Sequence, residues 1–203
     1  MNIAGFALAV LLIELTPGPN MAWLAGLAAT EGWRRGLAAV VGVALGLSTN
    51  GVLAALGLAA LLQAAPQLWI WLRLAGAAMM VWLAIEAWRG AEKAARVAGP
   101  DTSAWRAFAT GALINLLNPK AYIFFIVVAP QFMGGAQLTL SSALLLCLVS
   151  VTIATVIHLA IVFAGSRAHS WLNDPRRTAT VRRGFALVML GVAASFLLAD
   201  LGA

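Results

Sequence analysis

The sequence predicts an all-α integral membrane protein, with six transmembrane helices arranged as two inverted three-helix repeats and with helices 1 and 4 broken. Three observations carry that expectation. Of the 203 residues, 63% are hydrophobic and 10% charged, with a mean hydropathy of +0.94; soluble domains carry roughly 45–50% apolar and about 25% charged residues. Charge is absent from Gly36 to Leu72 and from Ala121 to Ser166, runs too long for one crossing of about 20 residues. Proline-bearing interruptions, ELTPGPNM from Glu14 and NLLNPK from Asn115, fall inside two of the apolar segments. Strand-type alternation is missing, which favours helices over a barrel.

Taken in order, span 1 is expected over about 3–28. It has no basic n-region and runs well past a short apolar core, so cleavage of a signal peptide is not expected. Span 2, about 36–62, places Ala38, Gly42, Gly46 and Asn50 on one face, a row of small residues suited to close packing on another span. Span 3, about 68–88, includes Arg73, read as snorkelling to the nearer surface, and ends beside Glu86, read as a solvated interface residue. Span 4 is expected over about 107–132 and span 5 over about 139–165. Span 5 contains the lone Cys147, an apolar filler with no disulfide partner, and Thr152 and Thr155, read as bonding back to their own helix. Span 6 follows Arg182 and Arg183, over about 184–201.

Basic residues set the orientation. Arg34 and Arg35 follow span 1; Arg89, Lys93, Arg96 and Arg106 follow span 3; Arg167, Arg176, Arg177, Arg182 and Arg183 follow span 5. With six spans all of these lie on one side, which the positive-inside rule makes cytoplasmic, so both termini face out across the cytoplasmic membrane. The net charge of +6 then reports topology and lipid contact, not a nucleic-acid partner. Trp33, Trp88, Trp105 and Trp171 fit an inner interfacial belt, Trp69 and Trp71 an outer one. The chain reads as a single transmembrane unit: repeat 1 over about 1–88, a polar cytoplasmic loop over about 89–106, and repeat 2 over about 107–203.

The breaks are where chemistry is expected. Pro17 and Pro19 supply no N–H, so the carbonyls of Ile13 and Leu15 lose their helical partners, and Pro119 does the same to Asn115. Unsatisfied backbone in hydrocarbon costs several kcal/mol, so the breaks must face protein, water or a ligand. Thr16 or Gly18, and Asn118, can cap a restarted helix with proline at its first position. Two helix starts at mid-membrane suit an anion, and freed carbonyls beside them suit an ammonium. Paired interruptions in inverted halves point to a transporter site, and an α-amino acid matches its polarity. Glu14 and Lys120 are costly charges at that depth. They pair with each other, or else Glu14 takes a proton or the substrate amine while Lys120 holds the substrate carboxylate. His158 either relays protons or bonds between helices.

LTPGPNM, the Arg-Arg loop, the Gly-rich second span and GALINLLNPKAYIFFIVVAPQF (Gly111–Phe132) resemble the LysE/RhtB family of amino-acid exporters. So do WLRLAGA from Trp71 and Arg183-Gly184 at span 6. The resemblance covers essentially the whole chain. It implies efflux of an amino acid or close derivative from the cytoplasm, driven by the proton gradient. Its motif falls on Pro17, Gly18, Pro19, Asn20, Asn115, Asn118, Pro119 and Lys120, with Thr16 beside them. Many relatives have a Tyr after the span 3 Gly, where this chain has Met79 and Met80, a departure that bears on substrate identity.

Other classes fit less well. Ser150 and His158 lie about 12 Å apart along one helix and no nucleophile–base constellation is present, so no enzyme is expected. One Cys and two His do not make a soft-metal site, which leaves divalent-metal efflux a distant alternative, and no cofactor is implied. A passive channel would show a ring or row of like polar groups. With one carboxylate and one lysine near the breaks, the site is close to neutral. Neutral or hydroxylated cargo such as homoserine, threonine or leucine is therefore preferred to lysine or arginine. The mechanism expected is alternating access of one half against the other, with Pro17, Gly18 and Pro19 serving as hinge and site. A homodimer through small-residue faces is compatible with the sequence and not required by it.

Overall fold

The computed structural model describes residues 1–16, 18–58, 66–94, 103–132, 139–169 and 174–198. Pro17, Arg96 and Trp171 lie outside the described residues, as do the side chains of Trp69, Lys93, Pro119 and His169. All regular structure among the described residues is helical: α1 (Ile3–Leu15), α2 (Pro19–Glu31), α3 (Trp33–Leu53), α4 (Pro66–Ala94), α5 (Ala104–Leu116), α6, α7 (Leu140–His169) and α8 (Pro175–Leu198). Helix α6 starts at Pro119–Ile123, passes through a π-helical turn at Phe124–Val128 and ends at Ala129–Gln131, and α3 runs into a similar turn at Ala54–Leu58.

Local chemistry explains most helix ends. Asn2 caps α1 by accepting the Gly5 N–H at 2.9 Å, Ser103 caps α5 through the Arg106 N–H at 3.1 Å, and Asp174 accepts the Arg176 N–H at 2.8 Å before α8. Between α2 and α3 the chain turns on Gly32 alone, at φ 86°, a conformation that only glycine adopts without strain. Helix α8 begins at Pro175, well before the expected start at 184, so Arg176 to Arg183 are helical. Charge ends a membrane crossing, but a helix ends where its capping and turn residues lie.

Among the described residues, three helices are long and apolar enough to cross a membrane, within α3, α4 and α7, and α1 with α2 make a fourth if their 56° bend belongs to one span. The other two expected spans do not meet the same measure. One is divided at Leu117–Asn118, and the other opens with four basic residues between Pro175 and Gly184.

Helix α3 packs along α5, α4 along α8, and α7 against α1, α2 and α3. The α3–α5 contact is backbone on backbone. A Cβ placed on Gly42 would lie 2.0 Å from the Phe108 carbonyl oxygen, one on Gly46 2.6 Å from that of Ala112, and one on Gly111 2.4 Å from that of Ala39. The small-residue face of span 2 is thus used within the chain, so a dimer would need another face. Two apolar clusters form the core. One is built around Trp23, Leu24, Val40, Met80, Ile114 and Met189, the other around Phe6, Val10, Leu47, Phe124, Phe125 and Leu146. Leu12, Val41, Leu45, Leu148, Val156 and Leu187 point outward and are more than half exposed, a surface soluble monomers avoid. Arg73, expected to reach a membrane surface, is buried at 8% exposure. Trp33 and Trp88 are exposed and carry the guanidinium groups of Arg34 and Arg183 over their rings at 5.4 and 5.6 Å.

Candidate substrate-binding site

The two breaks meet. Helix α1 stops at Thr16 in extended conformation, and α2 restarts at Pro19 after an extended Gly18. Helix α5 stops at Leu117, and α6 restarts at Pro119 with the Asn118 side chain accepting the Lys120 N–H at 3.1 Å. Each break supplies what the other lacks. The Lys120 ammonium donates to the carbonyl of Ile13 at 2.6 Å and of Thr16 at 3.2 Å. The Ile13 oxygen, deprived of a partner by Pro17, also accepts the Thr16 N–H. The Asn115 carbonyl, deprived by Pro119, accepts from Asn50 Nδ2 at 3.0 Å and from the Asn118 N–H at 3.1 Å. Asn20 Nδ2 donates to Asn115 Oδ1 at 2.7 Å, tying the restarted half of the first break to the second. Tyr122 donates to the Leu116 carbonyl at 2.8 Å.

The carbonyls expected to await an ammonium ligand at Ile13 and Asn115 are therefore already engaged by side chains. Lys120 has a structural role beside the two expected for it. It closes the C-terminal end of α1, where a positive charge also suits the helix dipole.

A cavity of about 520 Å³, its open mouth included, lies at these breaks. Glu14, Gly18, Pro19 and Asn20 line it from the first half, Asn115, Asn118, Lys120 and His158 from the second. Thr16 stands apart; its hydroxyl donates back to the Leu12 carbonyl at 3.1 Å. The Glu14 carboxylate is 3.9 Å from His158 Nε2, beyond a hydrogen bond and within reach of one after a small side-chain rotation. Among the described residues, Asn20 Oδ1, Asn115 Nδ2 and His158 Nε2 are buried side-chain atoms with no hydrogen-bond partner. Buried polar atoms in that condition are rare, and three converge on this one space. Val10, Leu47 and Phe124 form its apolar wall.

Comparison with known proteins gives this geometry a context. The chain matches the LysE type translocator family over residues 11–200. It belongs to that family. An uncharacterized membrane protein of Pseudomonas aeruginosa is 32% identical over 183 residues, covering 86% of this chain and 84% of its own. The homoserine/homoserine lactone efflux protein of Salmonella typhimurium is 27% identical over 184 residues, covering 90% and 89%. The leucine efflux protein of an Enterobacter species is 25% identical over 199 residues, covering 96% and 94%. No solved structure matches the chain. With its apolar helices and this kinship, the chain is a multi-pass membrane protein of a translocator family.

Within this LysE type chain, the fold places residues that the sequence offered for other roles. Ser150 lines the cavity at 3% exposure while its hydroxyl donates to the Leu146 carbonyl at 2.9 Å. Its spacing of two turns from His158 was the available signal. Asn50, at 0% exposure, braces the second break and does not line the cavity. Met79 and Met80 lie in the apolar core, away from the cavity walls.

Proposed function

We propose that the protein exports a neutral or hydroxylated α-amino acid, of the homoserine, threonine or leucine kind, from the cytoplasm in exchange for an inward proton. The observation that carries this reading is the pairing of opposite chemistries in one cavity. Glu14 offers a carboxylate for an ammonium. The start of α2, which has no side-chain cap, and the unpartnered Asn115 Nδ2 offer donors for a carboxylate. Relatives named for efflux of homoserine and of leucine support the same class of cargo. Glu14 is the one carboxylate among the described residues lining the cavity, whereas lysine or arginine would call for a second.

Substrate ammonium and proton compete for the same Glu14 carboxylate, and His158 stands close enough to pass the proton on. Competition for one group is a sufficient basis for exchange. Gly18 and the flanking prolines let α1 and α2 change their mutual angle, so that one half moves against the other. The helix contacts suit an inverted repeat: α3 on α5 matches α7 on α1 and α2, while α4 on α8 maps onto itself. Glu31, Glu86, Arg106 and Arg182 gather at one cavity, and the Asn2 N–H donates to the Phe132 carbonyl at 2.9 Å. The N-terminus thus meets the end of the fourth span while basic residues from two loops gather elsewhere, which suits six spans with both termini outside the cytoplasmic membrane.

The test is uptake of radiolabelled amino acids into inside-out vesicles, with and without an imposed pH gradient. Gradient-driven accumulation of homoserine, threonine or leucine, with uptake by Glu14→Gln no longer responding to the gradient, is the expected result. Correctly inserted protein that accumulates no amino acid would overturn the reading.

A further inference from the structure

A second cavity, of about 600 Å³, lies between α2, α4, α5 and α8. It shares two walls with the central one. On α2, Asn20 and Met21 face the central cavity, while Trp23, Leu27 and Thr30 face the second. On α5, Asn115 faces the first and Thr110 the second, about 7.5 Å away at 1.5 Å per residue. The two spaces are thus stacked along the same pair of helices. Leu24 and Ile114, on the same stretches of α2 and α5, are buried apolar residues.

The second cavity carries two carboxylates and two guanidinium groups, paired as Glu31 with Arg182 and Glu86 with Arg106. Each pair joins a first-half helix to a second-half one. Their surroundings differ. The Glu31 and Arg182 side chains are 2% and 12% exposed, those of Glu86 and Arg106 33% and 49%. Separating a buried pair leaves charge stranded without water, whereas a solvated pair holds its partners weakly. Glu31–Arg182 is therefore a fixed wall, and Glu86–Arg106 the pair that opens easily. An opened carboxylate and guanidinium offer an ammonium acceptor and a two-pronged carboxylate donor.

We infer that this cavity is a second binding site for the α-amino-acid zwitterion, which it holds before the substrate reaches the breaks. Glu86 takes the ammonium and Arg106 the carboxylate in place of each other. The inference rests on the amino-acid reading above. It makes Glu86 and Arg106 specificity-determining residues for the free carboxylate.

The test is transport kinetics in vesicles with L-homoserine, L-threonine and L-leucine, each beside a carboxyl-blocked form, the lactone or the amide. Arg106→Gln should raise KM for the free amino acids about tenfold, the loss of one charged hydrogen bond. Vmax and the KM of the blocked forms should stay unchanged. Glu86→Gln should raise KM for both forms. Arg106→Lys, which keeps the charge and loses the fork, should give an intermediate KM and serves if the Gln variant does not accumulate. Equal effects of Arg106 substitution on free and blocked forms, or none, would overturn the second site while leaving the exporter reading intact. Failure of the unsubstituted protein to transport any of the three would overturn both.

Discussion

At the residue scale, Lys120 and Gly18 separate structure from transport. Lys120 satisfies two carbonyls at the end of α1. Lys120→Met removes both bonds, leaving the Ile13 carbonyl with the Thr16 N–H alone, at about 1.5–3 kcal/mol for hydrogen bonds from a charged group. It should therefore lower the melting temperature of detergent-solubilised protein as well as abolish transport. Gly18 behaves oppositely. Its backbone is extended at φ −148°, which any residue adopts, and a Cβ there would meet Lys120 Nζ at an ordinary 3.9 Å. Gly18→Ala should melt within a degree or two of the parent and still transport poorly, because the glycine is kept for what approaches or bends there. Full transport by Gly18→Ala would remove this residue from the site. The sequence marked both residues. It could not assign Lys120 its partners, because they lie more than one hundred positions away in the chain.

At the element scale, the pairing of α3 with α5 depends on missing side chains. In lipid there is little hydrophobic gain from helix contact, so close backbone approach supplies the attraction. Gly42→Ala would force a methyl group against the Phe108 carbonyl, and overpacking of this kind costs about 1–3 kcal/mol. The matching control is Gly184→Ala, where nothing lies within 4 Å. Thermal unfolding followed by fluorescence-detected size exclusion should show a clear loss for the first and none for the second. The row Ala38, Gly42, Gly46, Asn50 was legible as a packing face from its spacing alone. Its partner was not, since small residues fit any close neighbour. The early start of α8 escaped notice for a related reason: hydropathy marks where lipid ends, and a helix continues past that level into water.

At the scale of the whole molecule, the proposed six-span topology makes a direct prediction. In a background with Cys147→Ala, a buried site beside Gly51, Asn2→Cys should react with an impermeant thiol reagent from outside the cell. Arg176→Cys should react only in inside-out vesicles. Labelling of both from the same side would contradict the odd number of crossings that the topology places between them. The arrangement also explains why the central cavity holds polar groups at all. Val10, Leu47 and Phe124 on its wall belong to one apolar cluster, while Leu24 and Ile114, on the helices that carry Asn20 and Asn115, belong to the other. The proline breaks supply polar backbone at that boundary.

By itself the sequence determined that the chain is a helical membrane protein, that two segments break at Pro17–Pro19 and Pro119, and that its motifs are those of an exporter family. Composition, proline chemistry and charge placement are local properties, readable one residue at a time. Tertiary structure alone decided that Lys120 from one break closes the other, that Asn50 and not a ligand takes the Asn115 carbonyl, and that Glu31 and Glu86 find Arg182 and Arg106. Those pairings join groups far apart in the chain. Which donor reaches which acceptor depends on how closely the glycine faces let the helices approach, and no local pattern encodes that distance.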